Sequence, residues 1–139
     1  AQATGVADLA VFDMPPAAAP GAALAYAVNR AAGAAWRAAA PAWLQALGFT
    51  PLELQDSPGL FVARTVAMLV NEAADAVQQG VCTTDGADAA MKLGVNYPAG
   101  PFDWLRAWGV ERVIGIVEAL DAACRGERYR VSPWLRRSA

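Results

Sequence analysis

The chain has 139 residues, a formal net charge of −2, 56% hydrophobic residues and no histidine. That length suits one domain with a real core, and a slightly acidic chain without a basic face excludes the usual nucleic-acid binder. Without histidine, this chain alone holds no histidine-dependent triad, no histidine-ligated zinc and no His–Glu acid–base pair.

The first third reads as mixed. Residues 9–16, LAVFDMPP, form a short apolar run stopped by two prolines, which predicts a strand. Residues 22–28, AALAYAV, fit strand or helix by periodicity alone. Residues 32–48 place Trp36, Trp43, Leu44 and Leu47 at helical spacing, with Gly48 set for a C-terminal cap. Pro41 interrupts that helix and is expected to kink it. In residues 50–55, TPLELQ, Leu52 and Leu54 alternate with Glu53 and Gln55, which predicts a half-buried strand with the leucines inward.

The remainder reads as helical. Ser57 and Pro58 give a cap and first-turn signal for a long helix ending at Gly80. Residues 83–94 give a shorter helix capped by Thr83 or Thr84 and stopped by Gly94. Residues 96–101, NYPAGP, form a rigid turn, and Pro101 opens a helix ending at Gly109. In residues 110–126, Val113, Ile116, Val117, Leu120 and Cys124 share one stripe. The basic, aromatic tail, ERYRVSPWLRRSA, is expected to be only partly ordered.

No membrane span is expected, because the most apolar run, residues 60–70, is too short and carries Arg64. Cys82 and Cys124 fit no metal or redox spacing and read as buried or half-buried free thiols of a cytoplasmic protein. The abrupt start, AQATGVADLA, suggests a piece of a longer protein.

The ordered signals DSPG (56–59), NEA (71–73), DAAMKLG (88–94) and YPAGPF (97–102) resemble the C-terminal domain of bacterial 3-hydroxyacyl-CoA dehydrogenases. Residues 22–55 fit more loosely the strand, helix and strand that lead into that domain, which favours a strand for ALAYAV. The ending RYRVSPWLRR resembles the tandem-repeat members, 3-hydroxyadipyl-CoA and 3-hydroxybutyryl-CoA dehydrogenases of phenylacetate and fatty-acid breakdown. The chain would then be their second C-terminal copy.

The resemblance implies a mostly α fold, a helical bundle of the 6-phosphogluconate-dehydrogenase C-terminal-like type, preceded by a strand–helix–strand remnant. It implies residues 1–55 as that remnant, 56–126 as the helical domain and 127–139 as a basic tail. It implies NAD as cofactor of the parent enzyme, held with the catalytic pair in an N-terminal nucleotide domain. No G-x-G-x-x-G turn occurs in this chain. The family pattern PGF-V-NR carries an asparagine where this chain has Ala63, and an alanine cannot hydrogen-bond a substrate carbonyl or a nicotinamide. No catalytic, cofactor-binding or metal residue is therefore assigned, and the isolated chain is expected to be inactive.

Other residues have bland readings. Arg64, Asn71 and Glu72 fit structural hydrogen bonds or ion pairs better than catalysis. Asp85, Asp88 and Asp103 lack metal-site spacing, and Asp85 and Lys92 suit the ends of a helix dipole. Tyr97, Phe102, Trp104 and Trp108 suit core or interface packing. The long helix is apolar on two sides, one with Phe61, Met68, Leu69 and Ala76, the other with Leu60, Val66, Val70 and Val77. Phe61, Arg64, Met68, Leu69, Trp104 and Trp108 are thus candidate interface residues. The partner is a second copy or the parent's other domains, with acyl-CoA met only through the parent. The alternative is an acyl-CoA-binding module using Arg125, Arg128, Arg130, Arg136 and Arg137.

Overall fold

The computed structural model describes residue 1 and residues 4–14 and 19–139, and divides into two compact units, Ala1–Ala63 and Arg64–Ala139. The described residues are mostly helical, six α-helices with a three-stranded sheet.

In the first unit the order is β1 (Ala10–Phe12), β2 (Ala23–Val28), α1 (Ala34–Ala46) and β3 (Thr50–Glu53). β2 lies in the middle, antiparallel to β1 and parallel to β3. A parallel pair needs a crossover, and α1 supplies it. Leu24, Tyr26 and Val28 alternate along β2 and pack with Ala40 and Leu44 of α1, so the strand reading of ALAYAV holds. The prolines expected to stop β1, Pro15 and Pro16, lie outside the described residues.

The inward placing of Leu52 and Leu54 is corrected: they are 50% and 40% exposed. Leu52 pairs in register with Ala25, which puts it on the sheet face away from the Leu24–Tyr26–Val28 core. Trp43 and Leu47 are likewise exposed, and Leu44 carries the buried face of α1. Pro41 stays inside α1, and the helix is continuous as an element from Ala34 to Ala46. Gly48, at φ 88°, donates to the Gln45 carbonyl while Phe49 donates to Leu44, the paired bonds that close a helix through a left-handed glycine.

The second helix, α2 (Val62–Gln78), starts later than Ser57–Pro58 signalled. Gly59 and Leu60 both take positive φ, 68° and 41°, which a right-handed helix excludes, so residues 57–60 form a turn. The end is as expected: Gly80, at φ 72°, donates to Val77, and Val81 to Ala76.

In the second unit α2 is followed by α3 (Thr84–Gly94), α4 (Pro101–Trp108), α5 (Val110–Cys124), a single 3-10 turn (Glu127–Tyr129) and α6 (Pro133–Arg137). Thr83 caps α3, its Oγ1 accepting from the Gly86 N–H. Its core gathers Val66, Ala67, Val70 and Ala74 of α2, Phe102 of α4, and Val113, Ile114, Val117 and Leu120 of α5. Ile114, rather than Ile116, completes the α5 stripe. Cys124 is exposed, against the buried reading, because α5 ends there and Arg125 turns away at φ 47°; Cys82 is half-buried.

The partly ordered tail is also corrected. Tyr129, Val131, Ser132 and Leu135 are all buried, and Ser132 Oγ accepts from the Trp134 N–H to open α6. The buried Asn71 side chain holds this tail from both sides, donating to the Arg130 carbonyl (3.0 Å) and accepting from the Ser132 N–H (2.8 Å). No helix among the described residues is long and apolar enough to cross a membrane.

Candidate functional site

The start of α2 is closed by a residue from far away in the chain. The buried Asp13 carboxylate accepts from the N–H groups of Phe61 (2.7 Å), Val62 (2.5 Å) and Ala63 (3.0 Å). These are the donors a helix N-terminus would otherwise offer to an anion. Ala63 is itself buried, so this helix start presents a methyl group and three occupied amides. No local signal marks Asp13 as a cap, since its partners lie 48 to 50 residues away.

Further along α2 a groove of about 390 Å³ is lined by Arg64, Thr65, Met68, Leu69 and Glu72, with Arg128 and Tyr129 of the 3-10 turn. Three of the candidate interface residues, Arg64, Met68 and Leu69, thus come together. Phe61, Trp104 and Trp108 do not line it. Phe61 is exposed; Trp104 stacks edge-on against Tyr97 (5.8 Å), and Trp108 lies under the Arg112 guanidinium (5.6 Å). Arg64 donates to the Tyr129 hydroxyl and lies 5.5 Å from its ring centre, as the structural reading expected; Arg128 lies 5.9 Å from the same ring. Sequence reasoning missed Tyr129. Its signal was the apolar spacing Tyr129, Val131, Leu135 inside a basic segment.

The tail arginines are largely spent. Arg130 pairs with Asp75 (2.6 Å), Arg136 with Glu118 (3.0 Å), and Arg137 donates to Gln78. The acidic residues of α3 and α4 also bind inward. Buried Asp88 accepts from the Phe102 N–H (2.7 Å) and from Arg106 (3.1 Å). Asp103 accepts from the Gly100 N–H, Lys92 and Arg106, which together hold its carboxyl far below the usual carboxylate range. Asp85 lies in the first turn of α3 and Lys92 in its last. Among the described residues no three acidic or cysteine side chains gather as metal ligands.

Two family models match the chain end to end: the 3-hydroxyacyl-CoA dehydrogenase C-terminal domain over residues 59–139, and the 3-hydroxybutyryl-CoA dehydrogenase reduced Rossmann-fold domain over residues 1–58. The chain belongs to the 3-hydroxyacyl-CoA dehydrogenase family. It is 45% identical over 97 residues to the 3-hydroxyadipyl-CoA dehydrogenase of Escherichia coli, covering 70% of this chain and 20% of that protein. A probable 3-hydroxybutyryl-CoA dehydrogenase of Deinococcus radiodurans is 37% identical over 91 residues, covering 66% of this chain and 33% of the relative. The crystal structure of the Escherichia coli 3-hydroxybutyryl-CoA dehydrogenase superposes with a TM-score of 0.84 at 38% identity, covering 94% of this chain and 27% of that one. The chain therefore spans a fifth to a third of the length of these relatives.

Proposed function

We propose that this chain is the non-catalytic scaffold part of a longer, cytoplasmic, NAD-dependent 3-hydroxyacyl-CoA dehydrogenase. Its helices form a bundle of the 6-phosphogluconate-dehydrogenase C-terminal-like type that pairs with another such bundle and helps wall the acyl-CoA cleft. NAD and the reacting acid–base pair belong to the rest of the parent protein. The observation that carries this reading is the start of α2. A buried alanine stands at position 63, and the amides around it are consumed by Asp13. With Ala63 buried and the amides of Phe61, Val62 and Ala63 all donated to Asp13, that stretch offers no polar group to orient a substrate carbonyl, and the chain has no histidine to move a proton. The pairing part rests on half-buried Met68 and Leu69, which open onto the α2 groove. An acyl-CoA groove built on the tail is the weaker reading, because Arg130, Arg136 and Arg137 already serve Asp75, Glu118 and Gln78.

Two measurements test this. The chain, given NAD and a 3-hydroxyacyl-CoA, produces no NADH absorbance above buffer; turnover that scales with chain concentration would overturn the non-catalytic reading. Light scattering at micromolar concentration gives a dimer, and Leu69→Glu weakens it. A monomer at high concentration would remove the pairing reading.

A further inference from the structure

In the first unit the parallel strands β2 and β3 end at a crevice of about 460 Å³. Val28, the last residue of β2, and Glu53, the last of β3, stand at its two sides. Arg30 of the β2–α1 loop, Arg37 of α1, and Leu54 and Gln55 beyond β3 complete the wall. Asp56 also lies there and pairs with the Ala1 ammonium (2.9 Å). Ligands of α/β sheets settle outside the carboxyl ends of parallel strands, and this is such a place. Its volume falls in the range of about 300–1,000 Å³ that small-molecule sites occupy.

The polar groups divide into a cationic and an accepting side. Arg37 is pinned: its Nε donates to the Ala32 carbonyl (3.3 Å) and its Nη2 to the carbonyls of Asn29 (3.0 Å) and Arg30 (2.9 Å). A guanidinium carries five N–H donors, so both donors of Nη1 remain for a ligand. A fork held in place by its own loop loses little freedom on meeting an anion, and its geometry suits phosphate. Arg30, exposed on that loop, adds a second, mobile cation. On the other side Glu53 Oε2 accepts from the Tyr26 hydroxyl (3.3 Å). Burial, and after it the Glu53 charge, raises the Tyr26 hydroxyl above its ordinary pKa, so Tyr26 stays a donor. That contact fixes the Glu53 carboxylate and leaves Oε1 to accept from a ligand hydroxyl. Leu54, 40% exposed, lends an apolar surface beside it.

We propose that this crevice binds a phosphorylated ribose, with Arg30 and Arg37 on the phosphate, Glu53 accepting from the ribose hydroxyls and Leu54 against the base. The site is not a dinucleotide turn. Residues 29–32, Asn-Arg-Ala-Ala, carry side chains where a pyrophosphate would need to approach bare backbone. The Gly33 N–H, at the start of α1, is already donated to Asp8 (2.9 Å). Phosphate recognition here falls to arginine side chains instead. Two sources carry the shared chemistry, a free nucleoside monophosphate and the 3′-phosphorylated adenosine end of coenzyme A. The inference is independent of how the helical unit pairs and does not rest on it.

Titration of the isotope-labelled chain with AMP, followed by amide NMR, tests the site. Shifts should concentrate at residues 28–33 and 53–55 and saturate with a Kd of about 1 mM or below. Adenosine, lacking the phosphate, should bind at least about tenfold more weakly, and so should the Arg30→Glu variant with AMP. Removing the sugar hydroxyls, as in 2′,3′-dideoxy-AMP, should weaken binding to the wild type by about tenfold. Glu53→Ala should abolish that preference for the hydroxylated sugar, a readout that a merely structural Glu53 would not move. Coenzyme A binding more tightly than AMP assigns the site to coenzyme A; AMP binding as tightly or more so assigns it to the free nucleotide. NAD should bind no more tightly than AMP, and a marked preference for NAD would overturn the side-chain reading of the phosphate. Circular dichroism checks that each variant folds, and the ligand series on the wild type decides the matter without them. No shift at these amides with either AMP or coenzyme A at about 5 mM would overturn the proposal, as would equal affinity for AMP, adenosine and the dideoxy nucleotide.

Discussion

Asn71→Ala should be among the most damaging single changes in the second unit. Asn71 is 1% exposed, and its amide closes two hydrogen bonds to the tail backbone, to the Arg130 carbonyl and from the Ser132 N–H. Truncation removes both partners and leaves the fully buried Ser132 N–H with no other acceptor among the hydrogen bonds of the described residues. An unmade bond at a buried group costs about 1–3 kcal/mol, and two together with a small cavity give about 3–5 kcal/mol. In a protein of ordinary stability, about 5–15 kcal/mol, that is a large share. The melting temperature should fall by roughly 10 °C or more. Urea unfolding followed by circular dichroism reads the loss. Amide hydrogen exchange at Ser132 reads it locally, and carboxypeptidase should trim the variant faster. Gln79→Ala, exposed in the turn just after the same helix, is the control and should change stability by less than about 0.5 kcal/mol. A cost below about 1 kcal/mol with unchanged Ser132 protection would refute the view that Asn71 fastens the tail.

Asp13→Ala strips three amides of their acceptor and should cost about 2–3 kcal/mol by chemical denaturation, with fraying confined to the first turn of α2; an unchanged midpoint would contradict the capping role. Gly100→Ala should destabilise by about 2 kcal/mol or more, because a Cβ there would lie 2.5 Å from the Asp88 Cα, which is backbone and cannot swing aside; a soluble variant with wild-type melting would refute it. Ala63→Asn should leave the chain without dehydrogenase activity and lower its stability by about 1–3 kcal/mol, since the new amide enters a buried site; NADH production by the variant would contradict the non-catalytic reading. Asp103 is held low first by the Gly100 N–H, then by Lys92 and Arg106. A depressed carboxyl stabilises the fold above its unfolded pKa and loses that contribution as pH falls, so Asp103→Asn should flatten the stability profile below about pH 4; parallel profiles for variant and wild type would exclude it.

Much of the second unit was legible because its signals are local. Thr83 caps α3, Pro101 opens α4, and Gly80 ends α2 through positive φ, as Gly48 ends α1 in the first unit, all readable from residue type and spacing. The same dipeptide, Ser-Pro, shows where local reading stops. At Ser132–Pro133 it opens α6 as a cap and first turn should. At Ser57–Pro58 it does not, because Gly59 and Leu60 follow with positive φ and the helix waits for Asp13. The leucines of residues 50–55 misled for a related reason. Alternation says which residues share a face, but the register with β2 decides which face has α1 packed on it. The groove needed contacts across 65 residues of chain, from Arg64 to Tyr129, and no spacing rule reaches that far.

The fastening of the tail to α2 has a consequence for how the chain is made. Asn71 leaves the ribosome 59 residues before Arg130 and 61 before Ser132. At about 5–20 residues per second, α2 spends roughly 3–12 s with that amide unsatisfied and the space for Leu135 unfilled. A stop codon placed after Arg128 would therefore yield a chain that keeps every long helix yet lacks the piece that closes its interior. Such a nascent or truncated species is the form a chaperone would be expected to hold, and a protease to find.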